Sequence, residues 1–390
     1  MVVGFFHDGP VYRDGNGDYH NGIVNDDIID RYFYLADQFI GVTRINSIDK
    51  VDKTTIIHHP NVEFVAVPNL NTVKGQLYKK EECARIVEEQ VKRCDYVIAR
   101  VPSYVASMAI RYARQYNIPF LTEVVGCPWD SLWNYSWKGK LLAPRAYFSL
   151  KKLMKNVPYA VYVTTSFLQN RYPTNGISVS CSNVQISDPG LTVLEKRKAR
   201  INENDGILTI GTAAAVSVRY KGQQYVIEAL GQLKKQGITN YRYELVGGGS
   251  QDYLRSVAEV NDVAEQVVFK GGMAHSDVLK WLETIDIYAQ PSRQEGLPRA
   301  LIEAMSRGVP AFGAKTGGIP ELLEPEFIIP NDKNCVNNIC RLLKKMDRTV
   351  MFVQAERNYK EAGKYYIDVI RRERNRMLDL LREERAKKEN

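Results

Sequence analysis

The residues best able to do chemistry lie between 291 and 321, PSRQEGLPRALIEAMSRGVPAFGAKTGGIPE. The apolar run 286–292 ends in Pro291-Ser292, and Glu295 follows in a loop. Pro298 is placed for the first position of a helix, where its missing N–H costs nothing, and Gly308 is placed to end that helix. The helix start, around Gly296, Leu297 and Pro298, offers unpaired backbone N–H groups and the positive end of a dipole, which together suit a phosphate. From Pro298 to Glu303 such a helix rises only about 7–8 Å. Two carboxylates flanking a phosphate site can hold hydroxyls on both sides of a diphosphate. A nucleotide-sugar has that shape, with a ribose at one end and a hexose at the other.

The elements that position these residues alternate. Short β-rich runs at 2–6, 38–45, 63–68, 95–101, 118–125, 160–166 and 177–184 read as strands, with helical spacing at 26–37, 79–93 and 103–116. Residues 185–205 hold Pro, Gly and a charge cluster and read as a linker. The rhythm restarts with strands at 206–213, 241–248, 265–271, 286–292, 309–314 and 327–330. The expected fold is α/β, with two doubly wound Rossmann-like domains facing a cleft. The first domain is expected over 1–185, a linker over 186–205, the second domain over 206–346, and charged helices packing back toward the first domain over 347–390. Ligands of open α/β sheets bind beyond the carboxyl ends of the strands, so the chemistry is expected in the loops facing the cleft.

Composition narrows the class. The chain has 390 residues, 44% hydrophobic and 25% charged, which suits a folded enzyme and excludes a collagen or a disordered tail. The start MVVGFFHDGP lacks a basic leader region, and no run approaches 18 apolar residues, so a cytoplasmic protein is expected. The six cysteines form no C-x-x-C pair and are expected to be reduced, and no metal site is expected. The net charge of +8 fits an anionic partner. From Ser131 to Ser187 there is no Asp or Glu, while Trp137, Lys138, Lys140, Lys151, Lys152 and Lys155 fall in that stretch. Basic and aromatic residues mixed in this way suit an anionic membrane surface. Nucleic-acid binding is not expected, because no reader motif is present.

The order Pro-Ser-x2-Glu-Gly, Glu303-Ala304, Gly308-x-Pro310 and Gly317-Gly318-x-Pro320-Glu321 resembles the GT-B glycosyltransferases of retaining family four, the glycosyl transferases group 1 domain. The match is good over about 205–325 and loose before it. The resemblance extends to Gly211 at the end of a strand, Lys221-Gly222 at a helix start, Val246-Gly247-Gly248-Gly249, Val268-Phe269-Lys270-Gly271 and Ser182-Asn183-Val184. It implies that Lys221 meets the donor diphosphate, that Glu295 holds sugar hydroxyls, and that Glu303 holds the ribose. It also assigns donor contacts to Gly211, Gly271 and the loop 296–298, with Gly22 near the expected N-terminal glycine turn. The anomeric configuration is expected to be kept, with no metal and no cofactor beyond the nucleotide-sugar substrate.

Three departures leave positions to fill. The arginine usual about five residues before the diphosphate lysine is Val216, so Arg219 is the candidate. The usual first-domain histidine is replaced by Val125, leaving Glu123, Asp130 and His7 as acceptor-side candidates. The usual N-terminal Gly-Gly is replaced by an irregular loop, Asp14-Gly15-Asn16-Gly17-Asp18, expected near the donor phosphates or the acceptor. Family relatives often reach lipid-linked acceptors with first-domain helices, so a glycan on a polyprenyl diphosphate, met at the inner face of the cell membrane, is the expected acceptor. Capsule, O-antigen or exopolysaccharide synthesis is the expected setting, with a UDP-sugar favoured as the commonest donor type. A cytosolic transferase with a soluble acceptor and an inactive sugar-nucleotide-binding partner subunit remain open.

Overall fold

A computed structural model describes residues 1–389 apart from 23, 50–55, 185 and 205. Strands β1 (Val2–Arg13), β2 (Tyr19–His20), β3 (Gln38–Ser47), β4 (Val62–Ala66), β5 (Tyr96–Val101), β6 (Phe120–Val124), β7 (Tyr159–Tyr162) and β8 (Ile177–Ser180) form the first sheet. Its order is β4-β3-β1-β5-β6-β7-β8, with β2 paired antiparallel to β1 and the remaining pairs parallel. Strands β9 (Leu208–Ala213), β10 (Tyr241–Val246), β11 (Val267–Gly271), β12 (Ile287–Gln290), β13 (Ala311–Ala314) and β14 (Ile328–Ile329) form the second, in the order β11-β10-β9-β12-β13-β14, all parallel. Every residue of β5, β6 and β12 is buried, as expected of parallel strands covered by helices on both faces. The strand order reverses between β1 and β5 and between β9 and β12, so a crevice opens at each carboxyl edge there.

β1 is longer than the apolar run 2–6 indicates. It continues past Pro10, and its register against β3 shifts between Phe6 and Pro10. Proline has no N–H for the ladder, and the shift accommodates it. The irregular loop after β1 is the tip of the β1–β2 hairpin. The Asp14 carboxylate accepts from Asn16 N at 2.9 Å and Asp18 N at 3.0 Å, and lies 3.2 Å from His20 Nε2. Asp14 and His20 are both buried, so the Asp14 carboxylate serves the loop's own fold, while Asn16 and Asp18 are exposed.

The expected linker is mostly a helix, Leu191–Glu203, and residues 185 and 205 at its ends lie outside the described residues. Leu194, Arg197 and Ile201 recur at helical spacing and are buried, which the charge around them hides in the sequence. Arg197 donates to Leu282 O at 2.8 Å, tying this helix to the second domain. The tail forms helices Arg348–Ala362 and Ile367–Glu389. The first packs on the second domain beside the Arg299–Ser306 helix, while the last lies along β6, β7 and β8 of the first. Ile186 bridges to Tyr366 where the chain crosses. Arg385 pairs with Asp95 at 2.6 Å, and Leu378 and Leu381 are fully buried.

One apolar cluster joins the domains. It runs from the first sheet through Val163 and Leu168 to Leu297, Ile319 and Leu322 of the second domain, while a separate cluster fills the rest of the second domain. Leu381→Ala is expected to lower stability by about 2–5 kcal/mol through the cavity it leaves, read as a shift of the urea unfolding midpoint.

Candidate active site

The loop after β12 is built by close backbone contacts. Gly222 has φ +80°, and a Cβ on it would stand 2.1 Å from Pro291 O, so the turn carrying Lys221 runs directly against the end of β12. Arg293 N donates to Tyr220 O at 2.7 Å and locks the two segments together. The result brings Lys221 Nζ within 2.8 Å of Glu295 Oε1 across 74 residues of chain. Gln290 Nε2 donates to the same oxygen at 3.1 Å and to Ser292 Oγ at 2.9 Å. Both partners of the Lys221–Glu295 pair are largely shielded, which strengthens the attraction between them.

The following helix is Arg299–Ser306. Pro298 stands at its N-cap, with φ −73° and ψ 108°, rather than at its first helical position. Its extended ψ closes the loop before the helix begins, and the free N–H groups of the first turn are those of Arg299 onward. Leu297 and Pro298 are buried, so their side chains support the loop from below. Gly308 ends the helix at φ +63°. Glu303 is inside the helix, and its Oε1 lies 3.1 Å from His275 Nε2. His275 opens the His275–Thr284 helix just after β11 and the left-handed turn at Gly271. This bond holds the imidazole above its ordinary pKa, with partial burial working against it. Asp27 of the first domain adds to the upward shift and Arg299 opposes it.

Other candidates stand elsewhere. Arg219 does not join Lys221 and Glu295; its guanidinium lies 4.3 Å over the Tyr253 ring. The short turn Arg219–Lys221 sends alternate side chains in different directions, and Val216, where the arginine is usual, is buried apolar. Gly211 lies within β9, which continues to Ala213. Its missing Cβ makes room for Trp281 and Ile285, so Gly211 is a packing position. Gly22 packs in the same way against Pro10 O of the first domain.

On the acceptor side, Glu123 does not open to the cleft. It is 1% exposed, accepts from Arg100 Nε at 2.7 Å and from the Tyr32 hydroxyl, and lies 3.8 Å from Arg31 and 4.0 Å from Arg374. Burial disfavours its charge, but Arg100, Arg374 and Arg31 outweigh that and hold its pKa at about 2. A carboxylate so enclosed is an internal counter-ion. Asp130 pairs with Arg171 at 3.0 Å. His7 Nδ1 is 3.0 Å from Arg100 O, and burial lowers its pKa, with Arg100 reinforcing and Asp8 opposing.

Among the described residues, several contacts cross the cleft. Asn134, on the Pro128–Tyr135 helix of the first domain, donates to Arg293 O at 3.0 Å, two residues from Glu295. A Cβ on Gly296 would stand 2.5 Å from Val125 O at the end of β6. Glu321 reaches from the second domain to the start of the Phe167–Arg171 helix in the first. Glu321 lies in the first turn of the Ile319–Leu322 helix, and its carboxylate serves another domain's helix.

The basic aromatic segment forms the helix Trp137–Met154, which continues through Pro144. Trp137, Leu141, Leu142 and Phe148 are exposed on it, as are Lys138, Lys140, Lys151 and Lys152, with Lys155 at its end. Lys138 lies over Trp137 and Lys140 over Trp133. The sequence reading missed a second exposed group, Val73, Leu77 and Tyr78 on the Val73–Tyr78 helix. That helix is too short for a clear period. Among the described residues no helix is long and apolar enough to cross a membrane. Nor do the described residues hold three or more His, Cys, Asp or Glu grouped to take a metal.

Two facing parallel α/β domains with a loop-built site between them define the GT-B class of glycosyltransferase fold. Residues 195–359 match the family described as Glycosyl transferases group 1. It is 28% identical to Protein CapJ of Staphylococcus aureus over 387 residues, covering 97% of this chain and 95% of that protein. It is 34% identical over 122 residues to the putative colanic acid biosynthesis glycosyltransferase WcaL of Escherichia coli K12, covering 29% of this chain and 30% of WcaL. The fold is shared with Alr3699/HepE of Anabaena in complex with UDP-glucose at TM-score 0.62 and 19% identity, covering 97% of this chain and 99% of that one.

The His275–Glu303 pair makes a pH-dependent contribution. With the folded pKa raised, its stabilisation is complete below the unfolded value of about 6.5 and is lost as pH rises through the folded pKa. In an NMR titration the His275 ring is expected to titrate above 6.5, and Glu303→Gln is expected to bring it back down toward that value.

Proposed function

We propose that the protein is a retaining, metal-independent hexosyltransferase that moves a sugar from a nucleotide-sugar to a growing glycan on a polyprenyl diphosphate carrier, in surface polysaccharide synthesis. The observation that carries this reading is the Lys221–Glu295 contact of 2.8 Å, set beside the start of the Arg299–Ser306 helix at the cleft. As the anomeric carbon–oxygen bond breaks, negative charge grows on the nucleoside diphosphate. Lys221 and the N–H groups from Arg299 onward meet that charge, and Arg219 reaches it only by leaving Tyr253. Glu295 then exchanges its bond to Lys221 for bonds to sugar hydroxyls. Glu303 takes the ribose and Gly271 opens the turn beside the base. With these groups offsetting the departing phosphate, the acceptor hydroxyl attacks from the leaving-group face, its proton passes to the departing diphosphate oxygen, and the configuration is kept.

UDP-glucose in HepE supports a UDP-sugar donor, and WcaL's role in colanic acid biosynthesis supports a polysaccharide product. The exposed Trp137, Leu141 and Phe148 beside Lys138, Lys140, Lys151, Lys152 and Lys155 support a seat on the anionic inner face of the membrane, where a lipid-linked acceptor would be met.

Lys221→Ala is expected to cut the transfer rate about 10²–10³-fold, as for loss of one donor to a developing anion, in a radiolabelled transfer assay across UDP-, GDP- and ADP-sugars. Unchanged rates would rule out this site. Flotation with anionic liposomes at low salt should carry the protein, and changing Lys151, Lys152 and Lys155 to Glu should abolish flotation. A protein that stays at the bottom of the gradient contradicts the membrane seat.

A further inference from the structure

Glu321 is the most heavily bonded carboxylate spanning the two domains among the described residues. Its Oε2 accepts from Thr165 N at 2.6 Å and Thr165 Oγ1 at 2.8 Å. Its Oε1 accepts from Ser166 N and Ser166 Oγ, both at 3.0 Å, and from Phe167 N at 2.6 Å. Three of these donors are backbone N–H groups just beyond β7, so a formal charge meets an array of fixed dipoles.

The other end of the same short segment touches the catalytic loop. Glu321 belongs to the helix Ile319–Leu322, which starts directly after Gly317-Gly318. Gly318 N donates to Gly296 O at 2.7 Å. Gly317 has φ +55°, and a Cβ on it would stand 2.2 Å from Glu295 O. Gly296 in turn lies against Val125 O of the first domain. The loop bearing Glu295 is therefore held between the Gly317-Gly318 turn and β6, and Glu321 fastens that turn to the first domain.

We propose that Glu321 is a positioning residue: by binding the 165–167 backbone it holds the Glu295 loop in register with the first domain, where the acceptor hydroxyl arrives. It touches neither donor nor acceptor. The inference rests on the function proposed above for its catalytic consequence, while its structural half stands independently. A misplacement of the two halves by about 1 Å is enough to cost on the order of 10²-fold in rate. A glutamine at 321 keeps the shape but loses the charge, and its NH2 group faces N–H donors with nothing to accept them.

Hydrogen exchange by mass spectrometry on the full chain tests the coupling without any ligand. Glu321→Gln is expected to speed exchange about tenfold at 165–167 and also at 294–297. Acceleration at 165–167 with none at 294–297 overturns the proposal and leaves Glu321 a local cap. Thr165→Val with Ser166→Ala removes the two hydroxyl bonds and leaves the charge. It is expected to speed exchange at 294–297 about threefold, and serves as the deciding variant if Glu321→Gln does not fold. In transfer assays with UDP-glucose, GDP-mannose and ADP-glucose on membrane-extracted glycolipid, Glu321→Gln should lower kcat about tenfold or more and donor KM less than about threefold. Glu321→Asp should recover part of that loss. Equal losses in kcat and in folded fraction, or a wild-type kcat, overturn the positioning role. A wild-type protein that uses no donor refutes the functional reading instead, and the exchange result still decides the coupling.

Discussion

The site depends on backbone segments that approach too closely for any side chain between them. Gly222 against Pro291 O, Gly317 against Glu295 O and Gly296 against Val125 O are three such contacts, and all three converge on the loop after β12. A Cβ at any of them would push apart the segments carrying Lys221, Glu295 or the first domain. Side-chain ion pairs move easily, but a backbone pressed on a backbone does not. The short distance between Lys221 and Glu295 is thus a consequence of glycine placement as much as of charge.

Charge plays a different part in the first domain. Glu123 is surrounded by Arg31, Arg100 and Arg374, which come from a helix, a strand and the C-terminal helix. Removing charged groups from water is expensive, and a single carboxylate among three guanidinium groups is retained only because hydrogen bonds to Tyr32, Asn183 and Ser182 O share the load. Arg374 lies on the last helix, so the C-terminal chain completes the first domain's interior after leaving the second. The domains are joined by apolar packing at Leu297 and Ile319, by the crossing at Tyr366, and by Glu321.

Much of the architecture was legible in the residue pattern. The β-rich runs fall on strands in both sheets, and the central strands β5, β6 and β12 are buried along their whole length and so read as short continuous runs. Helices that mix charge with burial were harder. Leu191–Glu203 reads as a linker because its buried face is only Leu194, Arg197 and Ile201, and a buried arginine looks solvated when its carbonyl partners are far away in sequence. Glu123 and Asp14 reads as site candidates for the same reason: a carboxylate near a strand end looks available until its partners are known. His275 was missed because a lone histidine after Gly-Gly carries no spacing signal, and its partner Glu303 is 28 residues away.

The sequence by itself determined the two α/β halves, the placing of Glu295 and Glu303 around a helix start, and the glycine pattern that permits close approach, because these are local matters of period, cap and turn. Tertiary structure alone decided which carboxylates face the cleft, that Arg219 stacks on Tyr253, and that Glu321 binds the other domain. Those outcomes depend on partners from 34 residues (Arg219–Tyr253) to more than 150 (Glu321–Thr165) away, and no local preference of the chain encodes where a distant donor will stand.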